Sequence, residues 1–480
     1  MLHNLDPAST LAIGLLIFSL ILVMAFEATN GFHDAANAVA TVIYTKSLQP
    51  AQAVVWSGVM NFIGVLVGGI TVAYALVELL PAEVLSPPSG APAVGMLVSL
   101  FVAALFWNIG TWWFRLPNSS SHCLIGALIG VALGNALIHD RSLSTGVHWS
   151  QVWIVLEALA LSPVLGAIFS ALLYFGLRKF AHDENLYKPV GEQPPVWWMR
   201  GTLILTCTGV SFAHGTNDGQ KSIGLIMLTI IGLFPALFAL NPEATLTPNG
   251  LQSMAQQAAP LIEKYGDDQK ASALDASKRL ASVSPPAPQP PSALGLPKAG
   301  QPGDQELGLQ SETAKTRSTF RDDVYQIIAQ LKFVEDAPGV SADDKKQAKT
   351  LGRQLSDTVE YAPWWVRILS ALCLGIGTMI GYKRIVTTLG QRLSNVHLTP
   401  AQGASAELVS AVLIGVSGFT GLPVSTTHIV TSGIAGTMVS SGAGLRYGML
   451  SRIGIAWLVT LPVTIVIAAA LYYLLDSPTI

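Results

Sequence analysis

Charge is scarce in this chain. Only 12% of its 480 residues are Asp, Glu, Lys or Arg, where a soluble domain carries about 25%. That excludes an ordinary water-soluble globular protein. The few charges nearly cancel, 27 basic against 29 acidic for a net −2, so nothing points to nucleic acid as a partner. Cysteine is rarer still. Cys123, Cys207 and Cys373 stand at unrelated spacings inside apolar segments and read as small buried hydrophobes, not as a disulfide framework or metal ligands. No His-Glu-x-x-His pair occurs, which removes the commonest signature of a zinc hydrolase helix. The N-terminus lacks a basic stretch and a small-residue cleavage site. Its first apolar run, 11–28, is therefore expected to be retained as a helix.

Apolar residues are abundant instead, 51% of the chain, with a mean hydropathy of +0.49. They gather in runs of about 17–25 residues, long enough to cross a bilayer as helices. The runs lie at 11–28, 53–77, 94–114, 122–138 and 152–177, then at 202–240 (long and interrupted), 364–381, 403–421, 428–440 and 453–475. The fold class expected is an all-α polytopic membrane protein.

One phrase occurs twice, about 300 residues apart. Leu116, Pro117, Asn118, Ser119, Ser120, Ser121, His122 is matched by Leu422, Pro423, Val424, Ser425, Thr426, Thr427, His428. Each copy sets a helix-breaking proline and three hydroxyls between apolar stretches. Such polar breaks at matching places in two halves mark a transporter binding site better than any other sequence feature. Other positions match too: Ser162-Pro163-Val164 with Leu461-Pro462-Val463, and Gly31 and Asp34 with Gly215 and Asp218. The chain reads as a duplication with about five crossings per half.

Five is odd, so the second half should be inverted relative to the first. The charge distribution agrees. With both termini outside, the inside loops hold Lys46, Arg178, Lys179, Lys188, Arg200, Lys383, Arg384, Arg392, Arg446 and Arg452; the short outside loops hold Arg141 alone. The expected divisions are a first repeat at 1–180, a cytoplasmic linker at 181–200, the start of a second repeat at 201–240 and its remainder at 363–480. Between these lies a soluble insertion, 241–362, which parity places outside. Its middle, 285–302, is rich in Pro, Ala and Gln and reads as disordered. Its flanks read as helices: Val324, Ile327, Ile328, Leu331 and Val334 keep a helical period, and Leu351, Leu355 and Val359 are spaced by four.

Four polar clusters fall at membrane depth. They are Asn30 to Asn37 with His33 and Asp34; Ser119 to His122; His214 to Lys221 with Asn217 and Asp218; and Ser425 to His428. A charge at the centre of a spanning helix costs roughly 2.5–3.5 kcal/mol, so Asp34 and Asp218 need a partner or water. A structural ion pair or a helix cap is the plain alternative for them. For single hydroxyls it is back-bonding to the preceding turn. Glu27, Glu157 and Glu407 are weaker candidates, divided between lining a cavity and pairing locally.

The phrase should end one helix and start another, with Ser and Thr at the N-cap. Free N–H groups and the positive end of the new helix would then face the break, which suits an anion. Hydroxyl donors beside them suit a tetrahedral oxyanion, with His122 or His428 adding charge when protonated. Asp34 with Asn37, and Asp218 with Asn217, instead suit a cation near glycines expected to break the helix: a proton, sodium, or a divalent metal travelling with phosphate. An anion entering a negative-inside cell works against about 2.3 kcal/mol per charge per 100 mV, and a co-transported cation removes that opposition.

These residues resemble the inorganic phosphate transporter (Pit) family, most closely its bacterial low-affinity branch. Phe26-Glu27-Ala28-Thr29-Asn30-Gly31-Phe32-His33-Asp34-Ala35-Ala36-Asn37-Ala38-Val39-Ala40 is similar to the family's first signature, and Phe212-Ala213-His214-Gly215-Thr216-Asn217-Asp218-Gly219-Gln220-Lys221 to its second. The two serine-rich phrases resemble its remaining hallmarks. The resemblance covers both membrane halves and implies phosphate–cation symport in a bacterial inner membrane, with protons in low-affinity bacterial members and sodium in others. It also implies that divalent metal–phosphate complexes are carried. By resemblance, Ser119, Ser120, Ser121, Ser425, Thr426 and Thr427 would bind phosphate, with His122 and His428 beside them. Asp34, Asn37, Asn217 and Asp218 would serve the coupling ion, with Asn30, His33, His214 and Lys221 around them. The chain departs from the usual Gly-Ala-Asn-Asp. His33 replaces an amide that could coordinate sodium, which favours protons, and Lys221 stands where the first half has Asn37.

The expected partners are phosphate, the coupling cation, membrane lipid and a second copy of the chain. No cofactor is expected. Competing functions are sodium-coupled symport of phosphate or another oxyanion, an intramembrane metalloenzyme using His33, Asp34, His122, His214, Asp218 and His428, and a channel or sensor. The metalloenzyme would leave the duplicated hydroxyls without a role.

Overall fold

The computed structural model describes residues 7–77, 79, 94–140, 142–143, 147, 149–191, 194–244, 248–267, 270–282, 312–393 and 397–476. The stretch 285–302 lies outside them. Every regular element among the described residues is helical, and they divide into two compact units.

The larger unit comprises Ile17–Pro81, Val94–Met227 and Trp364–Ile480. Its helices are α1 (Pro7–Tyr44, from Ile17 onward), α2 (Pro50–Val67), α3 (Thr71–Val77), α4 (Val94–Trp113), α5 (Ser120–Ile138), α6 (Trp149–Phe180), α7 (Trp197–Leu233, as far as Met227), then α13 (Trp364–Met379), α14 (Lys383–Thr387), α15 (Pro400–Thr420), α16 (Thr426–Ser441) and α17 (Tyr447–Asp476). Each of the ten apolar runs overlaps such a helix. Seven of the described helices are long and apolar enough to cross a membrane: α1, α2, α4, α5, α6, α15 and α17. Helix α7 is long, at 37 residues, but its apolar run is diluted by His214 to Lys221. Helices α13 and α16 have 16 residues each, about 24 Å at 1.5 Å per residue and shorter than a bilayer core.

The unit is apolar outside and polar within, as lipid requires. Phe106 and Leu458 are 65% and 77% exposed, whereas Asn30, Asp34, Asn37, His214, Asp218 and Lys221 are all buried. An apolar core containing Val39, Val42, Leu203, Ile414, Ile429 and Ile434 lies between α1, α7, α15 and α16. Helix pairing is reciprocal. Helix α5 packs on α17, and α16 packs on α6, while α2 packs on α13. Pro163 and Pro462 lie inside α6 and α17 without ending them.

Two expectations change. The polar clusters of α1 and α7 do not break their helices, which run through Gly31 and Gly215. The interruption expected within 202–240 falls only at Phe234, after the cluster has ended. A break at membrane depth would strand backbone N–H and C=O groups without water. The glycines serve close approach instead. A Cβ on Gly31 would lie 2.6 Å from the Thr378 backbone nitrogen, and one on Gly215 would lie 3.0 Å from the Asn61 Cα.

The smaller unit is formed mainly by Leu228–Pro363. It holds α8 (Pro235–Phe238), α9 (Pro248–Tyr265), α10 (Lys270–Ser282), α11 (Glu312–Asp336) and α12 (Ala342–Val359). Val324, Ile327, Ile328, Leu331 and Val334 of α11 and Leu351, Leu355 and Val359 of α12 are buried against Ala255, Ile262 and Leu280 of α9 and α10. The buried Arg321 guanidinium donates to the carbonyls of Val359 (2.6 Å) and Ala239 (2.9 Å). Arg279 forks onto Asp323, its Nη2 2.5 Å from Oδ1. That contact holds the Arg279 guanidinium above its ordinary pKa.

Candidate functional site

Both serine-rich phrases open a helix. The chain leaves α4 after Trp113 and re-enters helix at Ser120; it leaves α15 through Gly421, in the left-handed region at φ 80°, and re-enters at Thr426. Ser119 and Ser425 are the N-caps. Their Oγ atoms accept from the backbone N–H groups of His122 and His428, each at 3.2 Å. Both caps are extended, Ser119 at φ −99°, ψ 109° and Ser425 at φ −97°, ψ 106°.

The two phrases meet. Ser121 Oγ of the first donates to the Val424 carbonyl of the second at 2.9 Å. The rings of His122 and His428 lie 4.5 Å apart between centroids. His428 stacks on Trp457 at 3.8 Å, and Trp457 Nε1 donates to the Pro117 carbonyl at 3.1 Å.

Against the phrases stand α1 and α7, each presenting one aspartate. Asn37 Nδ2 donates to Asp34 Oδ1 at 2.7 Å and to Thr427 Oγ1 at 3.1 Å. Lys221 Nζ donates to Asp218 Oδ1 at 2.6 Å and to Ser121 Oγ at 2.6 Å. These two sets are counterparts, since Asn37 and Lys221 hold the same place three residues after their aspartates. A second correspondence crosses between the halves. His214 Nε2 lies 3.3 Å from Asp34 Oδ2, and Asn30 Nδ2 lies 3.4 Å from Asp218 Oδ2; each stands four residues before the aspartate of its own half.

Asp34 is where the parts converge. It accepts from Asn37 and from the Thr427 hydroxyl. Ser120 Oγ lies 3.4 Å from Asp34 Oδ2 and donates to Asn30 Oδ1 at 2.5 Å. A hydroxyl from each serine-rich phrase therefore reaches the same carboxylate. Lys221 is fully engaged, its three donors satisfied by Asp218, Ser121 and the Val424 carbonyl at 3.3 Å.

Of the residues singled out in the sequence, Asn30, Asp34, Asn37, Ser120, Ser121, His214, Asp218, Lys221 and Thr427 come together. Thr426 is buried at the first position of α16. Asn217 turns away and donates to Ser417 at 2.9 Å. His33 also turns away, with Nε2 2.8 Å from the Asn108 carbonyl of α4. Glu27 stays close, its Oε2 3.5 Å from Asn30 Nδ2. Glu407 is buried elsewhere, accepting from Thr206 at 2.6 Å, and Glu157 is exposed.

Three residues of this centre carried no sequence signal beyond a polar or aromatic side chain in an apolar run. Asn61 of α2 faces His214 Nδ1 at 2.8 Å. Asn108 receives His33, and Trp457 covers His428. A lone amide inside an apolar run, as Asn61 is, was the available clue.

Asp34, His214 and Asp218 each place a ligand atom within 4.8 Å of the others. The Lys221 ammonium on Asp218 supplies the fixed positive charge that a dication would otherwise bring, and His33, His122 and His428 do not join the group. The donor set therefore fits a proton relay and an anion better than a resident metal.

The relatives found by comparison with known proteins are named for phosphate transport. The model of the phosphate transporter family matches residues 30–468. The chain is 40% identical to the low-affinity inorganic phosphate transporter PitA of Escherichia coli strain K12, over 96% of both chains. It is 37% identical to PitB of the same organism, again over 96% of both. A probable low-affinity inorganic phosphate transporter of Bacillus subtilis is 25% identical over 96% of this chain and 98% of its own. A solved structure described as the sodium-dependent phosphate transporter shares the fold, with a TM-score of 0.52 at 18% identity, over 96% of this chain and 99% of that one.

Proposed function

Since the chain belongs to the phosphate transporter family, and is thus a bacterial integral membrane transporter rather than an enzyme, we propose that it imports inorganic phosphate by symport with protons. The observation that carries this reading is the meeting of the two serine-rich phrases at one acidic pair. Ser120 and Thr427 both reach Asp34, while Ser121 reaches Lys221. Anion donors and cation acceptors thus share one buried centre, the arrangement coupling needs. The Lys221 ammonium already attends Asp218, and the His214 ring, which can take up or release a proton, lies within 3.4 Å of both carboxylates, so a proton suits the centre better than sodium. Phosphate uptake into proteoliposomes, with imposed pH or sodium gradients and with or without magnesium, tests this. An inward proton gradient should drive accumulation. Accumulation driven by sodium alone would overturn proton coupling, and uptake only with magnesium would make a metal–phosphate complex the carried species.

The hydroxyl assignment has its own test. Ser120→Ala and Thr427→Ala each remove a donor and little volume. A hydrogen bond to a charged group is worth about 1.5–3 kcal/mol, so each variant should raise the apparent KM for phosphate about tenfold or more at near-normal protein levels. Unchanged uptake kinetics in the double variant would remove these hydroxyls from the phosphate site.

The two halves are read as inverted repeats. The reciprocal pairing of α5 with α17 and α16 with α6 supports this, as does the crossed pairing of His214 with Asp34 and Asn30 with Asp218. Inversion puts 181–200 and the α14–α15 connection inside and the α5–α6 connection outside. Single cysteines at the exposed positions Leu143, Glu184 and His397, with Cys123, Cys207 and Cys373 replaced, should sort accordingly. A membrane-impermeant thiol reagent should reach Leu143→Cys in intact cells, and the other two only after permeabilisation. Labelling of His397→Cys in intact cells would overturn the inversion.

A further inference from the structure

We propose that His214 carries the transported proton on Nε2, and that this proton is what admits the anion. The inference rests on the symport reading above and deepens it.

A chain of hydrogen bonds fixes the ring. The Leu374 carbonyl can only accept, so the Thr378 hydroxyl, 2.8 Å away, gives it its proton. Thr378 Oγ1 then has only lone pairs for Asn61, whose Nδ2 donates to it at 3.0 Å. That commits the Asn61 amide nitrogen to Thr378 and turns its oxygen to His214 Nδ1 at 2.8 Å. An amide oxygen only accepts, so Nδ1 carries a proton at all times. Nε2 is left as the one ring atom that can gain or lose a proton. It points between Asp34 Oδ2 at 3.3 Å and Asp218 Oδ2 at 3.4 Å. A bare nitrogen lone pair there would face two carboxylate oxygens. A proton there faces both and draws α1 and α7 together by charge.

The other ionisable groups around the ring complete the count. Asp34 comes from α1, with Glu27 two turns earlier behind Asn30. Asp218 and Lys221 come from α7. Helices α2 and α13 bring only the neutral Asn61 and Thr378. With the Nε2 proton in place, His214 and Lys221 balance the two carboxylates in direct contact with them, Asp34 and Asp218. Without it, one more unit of negative charge stands uncompensated beside Ser120, Ser121 and Thr427, where it repels an incoming phosphate. Proton and anion therefore favour one another at this centre. The first half has no equivalent carrier, because Asn30 fills that place and an amide cannot take up a proton.

His214→Asn makes the second half like the first here. In proteoliposomes it should lose pH-gradient-driven phosphate accumulation, and the pH dependence of its phosphate counterflow should flatten. Wild-type accumulation under a pH gradient in this variant would overturn the assignment. Failure of the unmodified protein to accumulate phosphate under that gradient would overturn the symport reading instead. Nitrogen NMR of the unmodified protein, labelled in its histidines, needs no variant to fold. A free imidazole in water titrates mostly at Nδ1. One ring here should keep Nδ1 protonated and exchange its second proton at Nε2 as the pH is varied, and added phosphate should shift that ring toward the doubly protonated form. Absence of such a ring would overturn the proposal.

Discussion

Asp34→Asn is expected to abolish uphill phosphate accumulation while leaving a folded protein in the membrane. The change keeps shape and removes charge. An amide oxygen can still accept from Asn37 and Thr427 as Asp34 Oδ1 does. The second atom is altered. Where Asp34 Oδ2 faces Ser120 Oγ and His214 Nε2, an amide would present a donor to a donor. The cation partner of the centre is lost, and with it the energy that a driving ion lends. A gradient of one pH unit lends about 1.4 kcal/mol per proton, roughly a tenfold concentration ratio, and that ratio should collapse to about one. Steady-state phosphate in proteoliposomes under an imposed pH gradient measures it. If the variant concentrates phosphate as the unmodified protein does, Asp34 is structural and coupling lies elsewhere.

The centre was legible in part, and the reasons differ residue by residue. The phrases around Ser120 and Thr427 stood out because seven-residue polar breaks do not recur by accident in apolar chain. Their N-caps followed from residue type alone. The glycines misled, since Gly31 and Gly215 break helices in water but permit close helix packing in lipid. The two histidines could have been told apart by spacing. His214 is four residues before Asp218 and shares its face of α7. His33 is one residue before Asp34, about 100° around α1, and so faces Asn108 of α4. Tertiary partners were beyond sequence. Nothing in the apolar run of α2 says that Asn61 meets His214, or that Ser121 and Val424, about 300 residues apart, both meet Lys221.

Lys221 allows the most demanding test of the charge arrangement. It is buried, 2.6 Å from Asp218 Oδ1, and its remaining donors are taken by Ser121 and the Val424 carbonyl. Removing one member of a buried ion pair leaves the other uncompensated, at a cost of about 3–5 kcal/mol, whereas removing both together can be nearly neutral. Lys221→Met should therefore lower the thermal stability of the purified protein sharply and abolish transport. Adding Asp218→Asn should recover most of the stability but none of the transport, because the fold needs only balance at this position while coupling needs the charges themselves. Thermal unfolding followed by size-exclusion chromatography measures the first, and proteoliposome uptake the second. A Lys221→Met protein as stable as the unmodified one would mean that Asp218 does not depend on the ammonium, and the balance of two carboxylates against two cations would fail with it. Stability rescued together with transport would assign both residues to structure alone. Stability rescued without transport separates the two roles, and it places the asymmetry between the halves, Lys221 against Asn37, in the transport chemistry.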